Sequence, residues 1–274
     1  MTTTSHCLHH LSWPELRRQA QRRGSTVLWP FGSIEQHGPH LPLATDALFA
    51  EAVSSAVLEA LPADLPIWRL PLQSLGFSPE HLGFPGTLSL PADALIQLVV
   101  AVAGQLAEAG FQRLVLLNAH GGQIALLEVA ARELRRQHPG LAVCPCFLWR
   151  GPEGIAPLIP EPERSQGLHA GLAETSLMLH LFPQLVSGEQ PTASGEGSSP
   201  SPLPLAPPPA GWSLEGDAPC SWRTHELSSS GIVGDPSGAN AQLGAQLFER
   251  LVEGWRRRLE ALLLSDWPPT DPPA

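Results

Sequence analysis

Apolar positions along the chain fall into two alternating kinds of run. Ser25–Phe31 (STVLWPF) is short, mostly apolar and stops at Gly32, the pattern of a strand buried on both faces. Asp46–Leu61 then places apolar residues at helical spacing, with Asp46 near its start. Ile67–Leu70 is a second short apolar run. Pro91–Gly110 reads as a helix, with Pro91 at a first-turn position and Gly110 as the stop. Leu114–Leu117 is a further buried strand, and Gln123–Gln137 a helix whose basic end suits its dipole. Leu141–Leu148 reads as a strand, Gly171–Phe182 as a helix, and Gln242–Leu264 as a closing amphipathic helix. Short strands alternating with longer helices predict an α/β fold, a three-layer sandwich in which a mainly parallel central sheet is flanked by helices.

Two segments carry no such periodicity. Residues 189–211 (EQPTASGEGSSPSPLPLAPPPAG) are dominated by Pro, Ser and Gly and read as a surface insertion without regular structure, or functionally as a flap beside an active site. Ser265–Ala274 reads as a frayed Pro-rich tail. Composition does not break near the middle, and 274 residues suffice for one large domain, so a single domain over 1–274 is expected. The longest apolar stretch, around Leu95–Ala103, is interrupted by Gln97 and is too short to span a bilayer. The start of the chain, MTTTSHCLHHLSW, lacks a basic region followed by an apolar run, so a cytoplasmic location is expected.

Charge narrows the chemistry. Net charge is −10, and all 16 basic residues are arginine. With no lysine, lysine Schiff-base chemistry and a P-loop are excluded. An acidic chain also argues against nucleic acid or an anionic membrane as partner, while leaving a small neutral substrate open. The four cysteines are irregularly spaced and too few for a disulfide scaffold; Cys144 and Cys146, two apart in a strand, share a face and read as buried reduced thiols.

The candidate chemistry gathers after the strands. Gly32-Ser-Ile-Glu-Gln-His-Gly-Pro-His-Leu-Pro-Leu-Ala-Thr-Asp46 follows the first strand directly. In extended backbone Glu35 and His37 project to one side, and Asp46 returns at the start of the next helix. Carboxylate and imidazole at the carboxyl edge of a parallel sheet, where ligands bind, are the donor types for Zn, Mn or Fe(II). Asp46 taken alone would equally serve as a helix cap. Leu114–Leu117 leads into Asn118-Ala119-His120-Gly121-Gly122, a second strand end that delivers an imidazole. A third segment, His169-Ala-Gly-Leu-Ala-Glu174-Thr-Ser, sets a carboxylate on a mostly apolar helix, where it is costly unless paired or metal-bound.

These segments together resemble the creatininase family. Gly32–Pro42 with Thr45-Asp46 resembles its signature, Asn118–Gly122 its second motif, and His169-Ala170-Gly171 with Glu174-Thr175-Ser176 its third. Gly76–His81 with Phe84–Thr87, and Gly231–Pro236, match further segments in the family's order, over about Val27 to Leu251. The resemblance implies a metal-dependent amidohydrolase with two divalent metals per subunit (Zn, Mn or Fe). Glu35, Asp46 and His120 would hold one metal, and His37 with Asp46 the second, Asp46 bridging. It also implies a homo-oligomer, a hexamer by analogy, acting on a small-molecule amide. Creatininase itself has a metal-binding glutamate where this chain has Gly122. In relatives that share the glycine pair, the glutamate matching Glu174 stands in. That departure points away from creatinine and towards the family's formamide deformylases or its cofactor-maturing peptidase.

In the mechanism so implied, metal-activated water attacks the carbonyl carbon of a cyclic amide or formamide-type C–N bond, and His169 moves a proton to the leaving nitrogen. Glu174 is a candidate both as ligand and as general base. His81 and His40 read as supporting residues, and His6, His9 and His10 as an incidental exposed group. No Gly-x-Ser-x-Gly elbow, Walker sequence or Gly-x-Gly-x-x-Gly is present. The rival reading is a non-catalytic metal or small-ligand binding protein on the same fold.

Overall fold

The computed structural model describes residues 6–187, 208–216 and 218–268. Four strands, β1 (Thr26–Phe31), β2 (Ile67–Arg69), β3 (Arg113–Asn118) and β4 (Ala142–Phe147), form one sheet in the order β2-β1-β3-β4. All pairings are parallel, with Thr26 level with Ile67 and Arg113, and Arg113 level with Ala142. The helices are α1 (Trp13–Ala20), α2 (Thr45–Ala60), α3 (Ala92–Ala109), α4 (Ile124–Gln137), α5 (Glu163–Gln166), α6 (Leu172–Leu181), α7 (Thr224–Leu227) and α8 (Ala241–Leu264).

Every residue of β1 and β3 is buried, which is why these strands read as unbroken apolar runs rather than alternating ones. Alternate side chains supply two cores. Leu28, Val115 and Leu117 pack with residues of α2, α6 and α8, among them Phe49, Val53, Leu177, Leu247 and Leu251. Val27, Trp29, Leu114 and Leu116 pack on the other face with Leu95 and Val99 of α3 and Leu127 and Leu134 of α4. The result is the expected three-layer sandwich.

Element ends lie within about two residues of those expected. Pro91 is not in the first turn of α3 but caps it from outside, in extended conformation. Taken whole, α3 (18 residues, mean hydropathy 1.4) is by length and composition long and apolar enough to cross a membrane, unlike Leu95–Ala103 alone. Here it buries Leu95, Val99, Ala103 and Leu106 against the sheet face. Cys144 and Cys146 form no disulfide and lie half-buried against the α8 side, and burial pushes the Cys146 thiol up to about 12. Ser265 and Trp267, in the expected frayed tail, are held: Arg113 donates hydrogen bonds to the carbonyls of Leu262, Ser265 and Trp267 at 2.7, 2.7 and 2.6 Å. Residues 188–207, which hold most of the expected insertion, and 269–274 lie outside the described residues.

Strand order places the site. From β1 the chain moves outward to β2, then returns to β3 on the other side of β1. The carboxyl ends of β1 and β3 therefore open a crevice at the point where the order reverses.

Candidate metal centre

Gly32 ends β1 where the amino end of α2 crosses it. A Cβ on Gly32 would lie 2.5 Å from the Ala47 backbone, so only glycine lets α2 seat here. That seating carries Asp46, in the first turn of α2, into the crevice, where the Ser33 hydroxyl donates to Asp46 Oδ2 at 2.6 Å. Beyond Gly32 the chain is not the extended segment expected. Ile34 makes an isolated bridge to Leu88 and His37 one to Leu41. Glu35 and His37 nonetheless turn their side chains into the same buried space.

Hydrogen bonds set the imidazole tautomers. His37 Nδ1 donates to the Glu35 carbonyl at 3.2 Å, which leaves Nε2 as the nitrogen able to ligate a metal, 3.4 Å from Asp46 Oδ1. His120 Nε2 donates to the Phe77 carbonyl at 3.0 Å. Its Nδ1 then faces Glu35 Oε2 at 3.2 Å and Asp46 Oδ2 at 3.1 Å. The two oxygens of Asp46 thus address two different histidines. Asn118 holds the loop after β3 by accepting from the His120 amide at 2.9 Å and from Gln123 at 2.8 Å.

Both Glu35 carboxylate oxygens and His37 Nε2 are buried without a hydrogen-bond partner. A buried carboxylate left so is costly unless a cation sits against it. The donor set suits a divalent metal: ligand atoms of His37, Asp46 and Glu174 lie within 4.8 Å of one another, as do those of Glu35, Glu80 and His120, and those of Glu35, His37 and His169. Protons occupy these positions in the metal-free protein. Burial alone would lower His37, but Asp46 overcomes it and raises the imidazole to about 9. Burial likewise opposes the charge on His120, yet Glu35 and Asp46 hold it well above the usual histidine range. Against burial, His120 keeps Glu35 below the usual carboxylate range and His37 keeps Asp46 well below it. Glu174, in the first turn of α6, accepts from the Ala170 amide at 2.6 Å. Burial pushes its carboxyl up to about 7, with Asp46 adding to the rise and His37 opposing it.

His169 stacks between His37 and His81, ring centroids 4.2 and 4.1 Å away. Its Nε2 donates to the Gln36 carbonyl at 2.6 Å, and Nδ1 lies 3.9 Å from Glu35 Oε1. Burial, reinforced by His37 and His81, holds its pKa well below 6.5, so the ring is neutral. His40 bonds Thr175 Oγ1 at 2.8 Å and joins no metal grouping. At the start of the chain, His6 bonds the Ile67 carbonyl, while Cys7, His9 and His10 bring ligand atoms within 4.8 Å of one another, apart from the pocket.

Two further residues reach this site: His81, expected only as a supporting residue, and Glu80, which was not singled out. His81, almost wholly buried, places Nε2 3.3 Å from Glu35 Oε1, and its Nδ1 accepts from Gln36 Nε2 at 2.8 Å. Glu80 Oε1 lies 3.3 Å from His120 Nε2. Both come from Gly76–His81, a segment without hydrophobic periodicity, for which the signals were its match to a family segment and a Glu-His pair in a loop that follows a strand. The crevice opens as a cavity of about 830 Å³ with Glu35, Asp46, His120, His169 and Glu174 on its wall. Phe77, Phe147, Trp149 and Trp222 flank it, and Arg150 and Arg223 also line it.

A buried cluster of carboxylates and imidazoles at the carboxyl edge of a parallel sheet, open to a large cavity, forms a candidate metal pocket. Residues 9–259 match the family model described as creatininase, creatinine amidohydrolase. The mycofactocin precursor peptide peptidase of Mycobacterium tuberculosis is 36% identical over 240 residues, 85% of this chain and 84% of that protein. The creatinine amidohydrolase of Pseudomonas putida is 33% identical over 188 residues, 64% of this chain and 72% of that protein. A solved structure titled creatininase Mn superposes with a TM-score of 0.70 at 25% identity, covering 95% of this chain and 100% of that one. The chain belongs to the creatininase family and is a hydrolase of that family.

Proposed function

We propose that this protein hydrolyses an amide C–N bond with a divalent-metal pair, and that its substrate is a peptide or peptide-derived amide rather than creatinine. The observation that carries the metal chemistry is the buried cluster in which the two oxygens of Asp46 face His37 and His120, and the Glu35 carboxylate faces His120. Glu35, Asp46 Oδ2 and His120 Nδ1 would hold one metal; His37 Nε2, Asp46 Oδ1 and Glu174 would hold the other. When bound, the metals acidify water towards neutrality and polarise the scissile carbonyl. Zinc, manganese and iron all suit this mixed set of carboxylates and imidazoles.

The chain's own residues do the rest. Ser33 fixes Asp46 so that each carboxylate oxygen keeps one direction. The Gln36 carbonyl holds the His169 Nε2 proton, which leaves Nδ1 as the atom that takes a proton from the attacking water and returns it to the leaving nitrogen. Burial keeps the ring neutral, so the Nδ1 lone pair is free, though it also weakens the imidazole as a base. Phe77, Phe147, Trp149 and Trp222 give the cavity an apolar wall.

Cavity size and relatives favour the larger substrate. A single five-membered ring would leave most of 830 Å³ empty, and Trp149, Trp222 and Phe147 offer apolar area to flanking side chains. The peptidase-named relative aligns over more of this chain than the creatinine amidohydrolase does. The test is a panel of short peptides, formamides and creatinine, offered to protein loaded with Zn, Mn or Fe(II). Faster turnover of a peptide amide than of creatinine supports the reading; turnover of creatinine alone refutes the substrate assignment.

A further inference from the structure

On the reading that Glu35, Asp46 and His120 hold a metal, the ring of His120 must present Nδ1 to the centre while Nε2 points away. Three oxygens surround that outer nitrogen. The Phe77 carbonyl accepts its proton at 3.0 Å, Ser78 Oγ lies at 3.2 Å, and Glu80 Oε1 lies at 3.3 Å. All three belong to one stretch of chain that passes behind the histidine. Phe77 is anchored there, its amide donating to Gln123 Oε1 at 3.2 Å, and Gln123 in turn bonds Gly32 O and Asn118 Oδ1. The stretch that backs the imidazole is thus tied to the ends of both β1 and β3.

Gly122 explains how a carboxylate gets in. A Cβ at 122 would fall on the Glu80 carboxylate and 2.7 Å from His120 Nε2. Any side chain there would expel Glu80 and press on the histidine. The absence of a side chain at Gly122 therefore leaves the space that the Glu80 carboxylate occupies.

We propose that Glu80 is a positioning residue of the metal centre: its carboxylate, seated in the space left by Gly122, holds the outer edge of His120 and strengthens that imidazole as a ligand. A carboxylate facing the distal nitrogen fixes the tautomer, orients the ring and raises ligand basicity, and losing such a partner typically costs about 10–100-fold in metal affinity. Gly122 and Glu80 are then coupled, because altering either one removes the same contact.

Metal affinity, read by competition with a chromophoric chelator on the full chain, tests this without recourse to turnover. Glu80→Ala should weaken one of the two metals by about 10–100-fold and leave the other at wild-type affinity. Glu80→Gln, which keeps the shape and a hydrogen-bonding oxygen but not the charge, should fall between. Gly122→Ala should reproduce the Glu80→Ala loss, and the double variant should bind metal no more weakly than either single one. Melting temperature is measured alongside; if Gly122→Ala does not fold, the two Glu80 variants decide. Unchanged affinity for both metals in Glu80→Ala overturns the proposal, as do losses that add in the double variant. Absence of any metal binding by the wild-type protein would instead overturn the metal-centre reading on which it rests.

Discussion

Metal binding to this centre should expel protons, and the number can be worked from the site. In the metal-free protein His37 is raised to about 9 by Asp46, and His120 stands well above the usual range beside Glu35 and Asp46. At pH 7 both imidazoles therefore carry two protons, with His37 ~99% protonated. A metal takes the lone pair that one of those protons occupies, so each metal releases roughly one proton from its histidine. Glu174, raised to about 7, adds roughly half a proton at that pH. Apparent affinity for each metal should rise about tenfold per pH unit between about pH 7 and 8.5, the His37 contribution levelling off above about 9. Stability of the metal-free protein runs the other way. The raised His37 pKa stabilises the fold fully below its unfolded value of 6.5 and loses that contribution as pH rises through about 9. The shift corresponds to about 3 kcal/mol. Glu174 acts in the same direction between 4.5 and about 7. Titration calorimetry in buffers of different ionisation enthalpy counts the protons, and thermal melts with and without metal follow the stability. Zn or Mn affinity that is flat across this range, with no proton released, would refute the ligand roles of His37 and His120.

Three further outcomes follow from the same geometry. His169→Ala should keep its metals yet lose about 10²–10⁴-fold in kcat, with substrate binding changed much less; normal kcat with a lowered Tm would make His169 structural. Glu174→Gln should weaken selectively the metal shared by His37 and Asp46 while leaving the fold intact, and unchanged metal content and activity by elemental analysis and assay would make Glu174 a bystander. By family analogy the protein should sediment as a homo-oligomer, a hexamer, at micromolar concentration; a monomer in sedimentation velocity would dispose of that expectation.

Strands such as β1 and β3 were legible because burial on both faces writes itself as an unbroken apolar run, and α2 and α8 because one buried face writes a helical period. Glu35, His37, Asp46, His120, His169 and Glu174 were singled out because three separate segments bring carboxylates and imidazoles beside strand and helix ends and together resemble one family, and the structure brings them to one crevice. Their geometry was not legible. Glu35 and His37 share a pocket through bridges to Leu88 and Leu41, long-range and turn contacts that no local alternation encodes. The role of Glu80, and the closeness of His81 to Glu35, were hidden for a related reason. Their loop reaches the centre because Gln73 pairs with Pro30 and Gly32 across the end of β1, a pairing set by the packed sheet rather than by residues near 80. Arg113, too, reads as an ordinary charge before an apolar run until the carbonyls of Leu262, Ser265 and Trp267 fold back onto it.

The central claim, metal-dependent amide hydrolysis with Asp46 shared between two metals, is tested most directly by measuring metal content and amide turnover together on the same wild-type and Asp46→Ala preparations. Wild-type protein should hold up to two equivalents of Zn, Mn or Fe, hydrolyse an amide of the panel, lose turnover on chelation and regain it on reloading. Asp46→Ala should lose most of both metals and with them the turnover. Two equivalents retained by Asp46→Ala, or amide turnover by wild-type protein that survives complete removal of metal, would contradict the account.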